Sequence, residues 1–308
     1  MRPPGAGSGE RADTKMNVLT VERNDFSARS SARPSVRPAN NAPNWSGLQE
    51  VMDLLLFKGQ GSGPDQRQLF QRRRVKAGKS IFRMGQAFDG LYVVRLGTIK
   101  TVITHPAGSE LVLSFSMKGD LLGSDGVCEN RYGTEAVALT DCEVIRLPAA
   151  ELFSPGRGSN ELERMTYWAI SRDIVKDHRA HTLSHAATSE MRVARFLLLQ
   201  STCFAAIGYS ARRFTLPMTR RDIGNYLSIT LETVSRALTT LDKQGIVEVV
   251  NRDITIHSPD GLRACAGYDP ERKRPLSPAH YAQPATKIVA NSIYRDRSQR
   301  TAETTMGA

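Results

Sequence analysis

One segment of the chain, LETVSRALTTL at residues 231–241, repeats polar side chains at helical spacing. The polar set is Glu232, Ser235, Arg236 and Thr239. Its members stand at i, i+3, i+4 and i+7, so they share one face of a helix. On such a face arginine can bond bidentately to guanine O6 and N7, glutamate can accept from cytosine N4, and serine can reach base or backbone. The segment therefore has the chemistry to read base edges in DNA.

The same segment has an apolar face. Val234, Leu238 and Leu241 stand at i, i+4 and i+7, which predicts a stripe buried against a neighbouring element. An alternative for the polar face is contact with solvent alone, with Glu232 and Arg236 forming an i, i+4 surface ion pair. The pattern leaves both interpretations open.

Another helix is predicted just before this one. Thr219 is a good N-cap residue, and Asp222 follows three positions later as in a capping box. Thr219, Arg220 and Arg221 then lie where DNA phosphates would pass. After the short turn LSIT, Thr230 can cap the second helix. The predicted DNA contacts are Thr219, Arg220, Arg221, Thr230, Glu232, Thr233, Ser235, Arg236 and Thr239.

The residues around these two helices complete a domain. Gly245 stands where a C′ glycine ends a helix, and IVEVVNRDITIH then predicts two strands around an Asn-Arg-Asp turn. Upstream, SEMRVARFLLLQSTCFAA predicts a further helix with Ser189 as its N-cap. Residues 188–262 are therefore predicted to form a winged helix-turn-helix domain.

The region upstream is rich in β signals. The runs SIFRM, LYVVRL, IKTVIT and ELVLSFS have the length and β-branched content of strands, and glycine recurs between them. Such strands over residues 46–158 are typical of a sandwich or barrel. Residues 45–57 are predicted to form one short helix. Residues 159–187 are predicted to form one long helix, part of whose apolar stripe could face a partner helix.

Composition points to an anionic partner. The 308 residues carry a formal charge of +11 and a pI of about 9.7, which suggests nucleic acid unless the excess lies in the tails. Residues 1–45 and 263–308 are rich in small and polar residues and are predicted to be disordered. No apolar run reaches the ~18 residues of a membrane span, and the N-terminal segment lacks the apolar region of a secretory signal. We expect a cytoplasmic protein with no membrane partner.

The segment LPMTRRDIGNYLSITLETVSRALTTLDKQGIVEV closely resembles the helix-turn-helix of the CRP/FNR family of bacterial transcription regulators. Its E-x-x-S-R pattern, formed by Glu232, Ser235 and Arg236, is most similar to the FNR branch. The β region resembles the family's β-roll at Lys76, Gly78, Ile81, Phe82, Gly85, Leu91, Tyr92, Gly97, Ile99, Lys100, Gly119, Asp120 and Leu121. The resemblance spans about residues 65–258. It implies an α+β fold with a cyclic-nucleotide-binding-like β-roll, a long dimerisation helix and a C-terminal winged helix-turn-helix.

The resemblance also implies partners. It implies a homodimer whose two recognition helices enter successive major grooves of a palindrome in double-stranded DNA, about 34–36 Å apart. An FNR-type helix implies a TTGAT-like half-site. The family further implies recruitment of RNA polymerase and activation of transcription, with the loop from His105 to Glu110 as one candidate contact.

Two departures from the family concern cofactors. An FNR-type 4Fe–4S cluster needs four thiolates in reach, but no cysteine precedes Cys128, and Ile145 stands at the position of the β-roll ligand. For cAMP, Asp120 stands in the position of the ribose-binding Glu, and Tyr132 and Gly133 replace the phosphate-binding Arg-Ser pair. We therefore expect neither the cluster nor cAMP, and no metal or other cofactor is predicted.

Several other features have more than one interpretation. His178, His181 and His185 stand at i, i+3 and i+7 on the long helix and could bind a metal or haem, sense pH near about 6.5, or pack at a dimer seam. The basic run QRRRVKAGK at residues 71–79 predicts a solvated strand edge. Cys128, in a predicted loop, could be an oxidation-sensitive thiol or a structural one.

No nucleophile–base pair, Walker loop or H-E-x-x-H motif stands out in the sequence, so catalysis is not predicted. The leading interpretation is a dimeric, sequence-specific transcription regulator. A cyclic-nucleotide-regulated enzyme is disfavoured, because only about 75 residues of helices and wing follow the long helix, too few for a kinase. A cyclic-nucleotide-responsive regulator and a non-specific architectural DNA-binding protein remain as alternatives.

Overall fold

The computed structural model describes residues 44–58, 68–105, 108–153, 160–184 and 188–268, without the side chains of residues 160 and 179–184. The predicted disordered tails, residues 1–45 and 263–308, lie outside these ranges except for residues 44–45 and 263–268.

Two antiparallel sheets form a β-roll in the first half of the described chain. The elements are β1 Trp45–Gly47, α1 Leu48–Leu54, β2 Leu69–Val75, β3 Ser80–Phe82, β4 Gly90–Leu96, β5 Ile99–Thr104, β6 Glu110–Ser116, β7 Leu121–Leu122, α2 Gly126–Glu129, β8 Glu135–Ala138, β9 Cys142–Pro148 and α3 Ala149–Leu152. One sheet has the strand order β1-β2-β9-β4-β7 and the other β3-β8-β5-β6. The predicted β-roll fold is confirmed.

The beginning of the β-roll differs from the prediction of a single helix over residues 45–57. Trp45, Ser46 and Gly47 pair antiparallel with β2, and only Leu48–Leu54 is helical. The reason is non-local, because the partner strand lies more than 20 residues further along the chain. The turn before β7 then packs against this helix. An added Cβ at Gly119, where φ is 87°, would lie 2.5 Å from the Leu54 carbonyl oxygen, so only glycine fits.

The basic run at residues 71–79 does not lie at a sheet edge as predicted, because β2 lies between β1 and β9, although most of its side chains are exposed to solvent as predicted. Glu50 of α1 and Glu143 of β9 pair with two arginines of the run, Arg72 and Arg74, and with Arg95 of β4. Glu50 carboxylate oxygens lie 2.7 Å from Arg72 Nη2 and 2.8 Å from Arg95 Nε. Glu143 carboxylate oxygens lie 3.3 Å from Arg74 Nε and 3.2 Å from Arg95 Nη1. The run is therefore part of the structure of the sheet rather than a free cationic patch.

A long helix, α4 Asn160–Ser184, follows the β-roll. Its first turns bury Leu162, Met165 and Ala169 against α1 and β4, whereas Tyr167 and Ile174 are exposed. Within the described ranges, no helix combines the length and apolar character needed to cross a bilayer.

The C-terminal part is a winged helix-turn-helix. Its elements are α5 Ser189–Ala206, β10 Arg213–Thr215, α6 Arg220–Leu227, α7 Leu231–Lys243, β11 Val247–Val250, β12 Asp253–Ile256 and α8 Pro259–Cys265. The predicted two-stranded wing gains β10 as a third strand, in the order β10-β12-β11. Thr188, not Ser189, caps α5, because its Oγ1 accepts from the Met191 N–H at 3.1 Å.

The described domain extends past the predicted boundary at residue 262. Helix α8 continues to Cys265, and Leu262 and Ala266 are fully buried in the same core as α5 and α7. Arg195 Nε of α5 also donates to the Ala266 carbonyl at 2.8 Å. Residues 263–268 therefore belong to the folded domain, because burial of this apolar pair offsets the entropy of ordering the segment.

Candidate nucleic-acid interface

The first helix of the motif, α6, begins with the predicted capping box. Thr219 Oγ1 accepts from the Asp222 N–H at 3.1 Å, and Asp222 Oδ2 accepts from the Thr219 N–H at 2.9 Å. The Thr219 hydroxyl also donates to Asp222 Oδ2 at 2.6 Å. These bonds satisfy backbone donors that a helix start leaves open. Thr219 and Arg221 are exposed at this end of the helix.

The turn between the helices is tight. Ser228 takes a left-handed conformation with φ 55°, and its N–H donates to the Gly224 carbonyl. An added Cβ at Gly224 would lie 2.7 Å from the Ile229 carbonyl oxygen, so glycine is needed where the chain crosses back over α6. A serine in this conformation costs about 1 kcal/mol relative to glycine.

The second helix, α7, has the two faces that its sequence predicts. Thr230 is its N-cap, since Thr230 Oγ1 accepts from the Thr233 N–H at 3.2 Å, and Gly245 follows its end with φ 66°. The buried side chains are Val234, Ala237, Leu238 and Leu241. This stripe packs on α5 and α6 in the domain core and fixes which face of α7 points outward.

The outward face carries the predicted base-reading side chains. Glu232, Arg236 and Thr239 are exposed, and Thr233 and Ser235 are half-buried. Arg236 Nη2 donates to Thr233 Oγ1 at 3.5 Å. Among the described residues, Arg236 makes no ion pair with Glu232 within 4.0 Å, so the geometry does not favour the surface-pair alternative.

The Glu232 carboxylate accepts hydrogen bonds at the start of α7. The pKa of its carboxyl is lowered, because the carboxylate accepts from its own backbone N–H and from the Thr230 hydroxyl, with Arg236 and Arg221 as more distant cations. An exposed carboxylate with a low pKa remains a hydrogen-bond acceptor at neutral pH, as contact with cytosine N4 requires.

The wing lies beside the start of α6. Arg220 Nη2 donates to the Asn251 carbonyl at 3.3 Å, and Arg252 Nη1 donates to the Pro217 carbonyl at 3.2 Å. Arg252 was not among the sequence-predicted contacts, although its place in the Asn-Arg-Asp turn is a usable signal. The guanidinium groups of Arg220, Arg221 and Arg252 place positive charge beside the outward face of α7, the recognition face, where phosphates would lie.

Leu231 is another residue that the sequence pattern did not identify. It is the first residue of α7 and stays 40 % exposed next to Glu232. It stands three positions before Val234, a spacing that is equally compatible with the buried stripe. An exposed leucine at the start of a recognition helix can contact the C5-methyl group of thymine.

Aromatic rings fill the interior of the β-roll. The Tyr132 side chain is fully buried, and its ring stacks on Phe82 with centroids 4.0 Å apart. The Tyr132 hydroxyl lies 2.6 Å from Asp89 Oδ1, and the Tyr92 hydroxyl donates to the same carboxylate at 2.9 Å. A cyclic phosphate needs cationic and N–H donors, so a carboxylate beside packed rings does not fit it.

Asp120, predicted in the place of the ribose-binding carboxylate, is used elsewhere. Its Oδ1 lies 2.7 Å from Lys176 Nζ, and its Oδ2 accepts from the Met117 N–H at 2.9 Å. Arg131, the cation nearest to the missing Arg-Ser pair in the sequence, donates to the Gly85 carbonyl at 2.9 Å. Both side chains thus have partners within the protein.

The cysteines are dispersed. Cys142 is buried and donates to the Thr98 carbonyl at 3.3 Å, Cys128 is exposed, and Cys203 and Cys265 are half-buried. Burial raises the pKa of the Cys203 thiol to about 11, which makes it a poor metal ligand and nucleophile. No group of three or more His, Cys, Asp or Glu side chains that could hold a metal occurs in the described part of the chain.

The predicted histidine stripe is described only in part. His178 is exposed on α4. The side chains of His181 and His185 lie outside the described residues. The stripe therefore stays a sequence prediction.

Comparison with known proteins agrees with this architecture. A Crp-like helix-turn-helix domain matches residues 191–265, and a cyclic nucleotide-binding domain matches residues 72–154. Over 201 residues the chain is 36 % identical to the transcriptional regulatory protein btr of Bordetella pertussis, a match that covers 65 % of this chain and 82 % of that protein. The transcriptional activator protein FnrA of Stutzerimonas stutzeri is 34 % identical over 195 residues, or 63 % of this chain and 80 % of FnrA.

Solved structures show the same fold. FixK2 from Bradyrhizobium japonicum superposes with a TM-score of 0.57 at 25 % identity, covering 64 % of this chain and 96 % of that one. A CRP-family regulator from Thermus thermophilus superposes with a TM-score of 0.54 at 19 % identity, over 63 % of this chain and 96 % of that one, and shows the fold alone. The chain belongs to the CRP/FNR family and is a transcription regulator, not an enzyme.

Proposed function

We propose that the protein is a homodimeric transcription activator that reads an FNR-type TTGAT palindrome in cytoplasmic DNA. The outward face of α7 is the observation that carries this proposal. It presents Glu232, Ser235 and Arg236 together, beside the cationic start of α6. Arginine discriminates guanine and glutamate discriminates cytosine in the major groove, which suits the G·C pair of that half-site.

The exposed face of α4 supports the homodimer. Tyr167 is 63 % exposed and Ile174 is 49 % exposed, and they stand seven residues apart. Apolar side chains repeating every seven residues are typical of a coiled-coil seam. A second copy related by a two-fold axis would cover both side chains and would place two α7 helices on one palindrome.

A substitution on this seam tests the dimer. Ile174→Glu should shift the protein towards monomer in sedimentation equilibrium, because a charge would replace an apolar contact. Leu96→Glu, at a 54 % exposed leucine of β4, is the matched control and should leave the mass unchanged. Dimeric Ile174→Glu protein would place the interface elsewhere.

The β5–β6 hairpin supports an RNA polymerase contact. His105 donates from its N–H to the Ser109 carbonyl at 2.9 Å, and Gly108 donates to the His105 carbonyl at 2.8 Å. These bonds lie at the ends of β5 and β6, next to the exposed Leu111 and Leu113 of β6. Exposed apolar side chains on the domain that does not read DNA suit a protein partner.

We also propose that the β-roll works without a cyclic nucleotide or an iron–sulfur cluster. The buried Tyr132 ring fills the interior of the β-roll with its hydroxyl on Asp89, and the four cysteines form no ligand set in the described part of the chain. If cAMP bound, a concentration of 100 times its Kd would raise the free energy of unfolding by about 2.7 kcal/mol. The thermal midpoint would then rise by several degrees. The expected result is no shift with cAMP or cGMP.

DNA selection tests the central proposal. Random DNA is selected with the full-length protein, and the affinity for the selected site is compared between wild type and Arg236→Ala. Arg236→Ala should cost about 1–3 kcal/mol and relax the preference at one base pair. Arg263→Ala is the matched control, because it removes an exposed arginine that pairs with Asp260 on α8 and is not part of the outward face of α7.

Two results would count against this function. Equal competition by selected and random DNA would favour the architectural alternative, because binding through phosphates carries no sequence preference. A midpoint shift with cAMP would favour the cyclic-nucleotide-responsive alternative.

A further inference from the structure

A lysine of the β-roll reaches the DNA-binding domain. Lys100 of β5 places its Nζ 2.9 Å from Asp222 Oδ1 of α6. The same ammonium lies 2.9 Å from Glu110 Oε2 of β6. The Lys100 and Asp222 side chains are only 12 % and 10 % exposed. The pair is thus largely shielded from solvent, unlike most surface ion pairs, whose contribution is small.

The partner of this lysine is the capping-box carboxylate. While Asp222 Oδ1 faces Lys100, Asp222 Oδ2 accepts from both the N–H and the hydroxyl of Thr219. One carboxylate therefore links the β-roll to the residue at the DNA-facing end of α6. Movement of Lys100 relative to α6 would break either the ion pair or the cap.

An apolar contact lies beside the ion pair. Phe115 of β6 is the cross-strand neighbour of Lys100. Its ring centroid lies 5.2 Å from that of Tyr226 on α6 and 6.1 Å from that of Phe196 on α5. Because Asp222 and Tyr226 are four residues apart, they share one face of α6. Lys100 and Phe115 of the β5–β6 hairpin thus contact Asp222 and Tyr226 of α6. Two such contacts fix both the position and the rotation of α6 relative to the β-roll.

This docking leaves the predicted DNA contacts free. Thr219, Arg221, Glu232 and Arg236 are exposed while Asp222 is buried. The docked arrangement is therefore compatible with DNA binding, and it does not cover the recognition face.

We propose that Lys100 is a positioning residue for DNA recognition, which acts through Asp222 to fix the orientation of the helix-turn-helix on the β-roll. The inference rests on the proposed function, because orientation matters most when two recognition helices must fit one palindrome. In a dimer whose domains are held in place, the entropy of domain motion is already lost before DNA binds. DNA binding therefore costs less conformational entropy. It also tolerates only one spacing between half-sites.

The experiment measures affinity against half-site spacing. Full-length wild type, Lys100→Met, Lys100→Arg and Lys76→Met are titrated onto the selected palindrome. They are also titrated onto versions with one base pair added to or removed from the spacer. Lys76→Met is the matched control, because Lys76 is also a β-roll lysine, paired with Asp141 at 2.7 Å, but does not contact α6. Circular dichroism and thermal unfolding monitor folding.

Lys100→Met should lose about 5- to 150-fold in affinity for the selected spacing, the usual range of coupling between sites. The factor by which altered spacing weakens binding should be smaller for Lys100→Met than for the wild type, because domains that are no longer held can adjust to the new spacing. Lys100→Arg should retain both properties of the wild type, and Lys76→Met should match the wild type. A shrinking spacing penalty is a readout that mere loss of folded protein would not produce, since that loss scales all affinities alike.

Three outcomes are informative. A Lys100→Met protein with wild-type affinity and wild-type spacing dependence overturns the inference and leaves the proposed function intact. Weaker binding with an unchanged spacing penalty also overturns it, because it indicates a structural role only. If the wild type does not prefer the selected palindrome, the proposed function itself fails. If Lys100→Met is too unstable to test, Phe115→Leu probes the same docking and should show the same reduced spacing penalty.

Discussion

Lys176 Nζ of α4 lies 2.7 Å from Asp120 Oδ1, in the turn before β7. This ion pair joins the long helix to the β-roll. Arg172, one turn earlier on α4, donates to the carbonyl oxygens of Leu55 and Gly119. Two cations of the long helix thus hold the β-roll through oxygen atoms of Leu55, Gly119 and Asp120.

The Lys176–Asp120 pair should contribute measurably to stability. Lys176→Met removes the cation and leaves the Asp120 carboxylate with the Met117 N–H as a hydrogen-bond donor and Arg172 as a nearby cation. Breaking a buried pair costs 3–5 kcal/mol, but the Lys176 side chain is 25 % exposed, so we expect about 1–3 kcal/mol. The measurement is the thermal midpoint, which should fall by roughly 2–4 °C per kcal/mol.

A double-mutant cycle with Asp120→Asn separates the pair from other effects of the substitution. The two changes should be non-additive, because the second removes a carboxylate that has already lost its partner. Additive losses would mean that the two residues act independently.

Asp173 should make stability depend on pH in the unusual direction. Burial raises the pKa of its carboxyl to about 6, helped by the nearby charges of Asp120 and Asp177 and opposed by Lys176. The folded-state pKa thus exceeds the unfolded value, so the folded protein binds the proton more tightly. The stability contributed by this group is greatest at low pH and is lost as pH rises through about 6.

Asp173→Asn should therefore stabilise the protein at pH 8 and lose its advantage at acidic pH. A difference of about two units between the folded and unfolded pKa values corresponds to roughly 3 kcal/mol in the free energy of unfolding. Because the site is partly exposed, we expect about 1–3 kcal/mol. The measurement compares wild type and variant by denaturant unfolding at pH 8 and at pH 4. A constant difference across this range would show that Asp173 does not titrate between those values.

Local signals made the helix-turn-helix predictable. The caps at Thr219 and Thr230 and the C′ glycine at Gly245 are each defined by residues within about four positions, and the structure confirms them. The apolar stripe of α7 has the same local character. Leu231 was missed because apolar residues at a helix start match core spacing equally well.

Contacts between distant residues were not predictable. Lys100 and Asp222 are separated by 122 positions, and nothing in either segment signals the other. The strand at Trp45–Gly47 looked helical because its sequence does not reveal pairing with β2. The end of α8 and residues 266–268 were assigned to the tail, because the burial of Ala266 depends on a surface that α5 provides. Sequence periodicity reports which face is apolar but not what covers it.

Tyr132 should be a main determinant of β-roll stability. Tyr132→Ala would leave a cavity between Phe82 and Phe88, whose rings lie 4.0 and 5.4 Å from it, and should cost about 3–5 kcal/mol. Tyr132→Phe keeps the stacking and loses only the hydroxyl bonds to Asp89 and Gly90, so about 1–2 kcal/mol is expected. The measurement is the thermal midpoint, which Tyr132→Ala should lower more than Tyr132→Phe does. Equal midpoints for both variants would mean that the hydroxyl, not the ring, carries the stabilisation.

Leu231 should contact a thymine methyl group if α7 lies in the major groove. Each thymine of the selected palindrome can be replaced in turn by deoxyuridine, which lacks only the C5-methyl group. At one position this change should weaken wild-type binding about fourfold, since burial of one methyl group is worth about 0.8 kcal/mol. Leu231→Ala should bind the thymine site more weakly than wild type and should no longer distinguish thymine from deoxyuridine at that position.

Leu96→Ala provides the control, because Leu96 is 54 % exposed on β4 of the β-roll and away from α7. It should retain the full loss on deoxyuridine substitution. The decisive quantity is the coupling between side chain and methyl group, not the affinity of either variant alone. Full deoxyuridine sensitivity in Leu231→Ala would show that another residue contacts the methyl group and that Leu231 is exposed for some other reason.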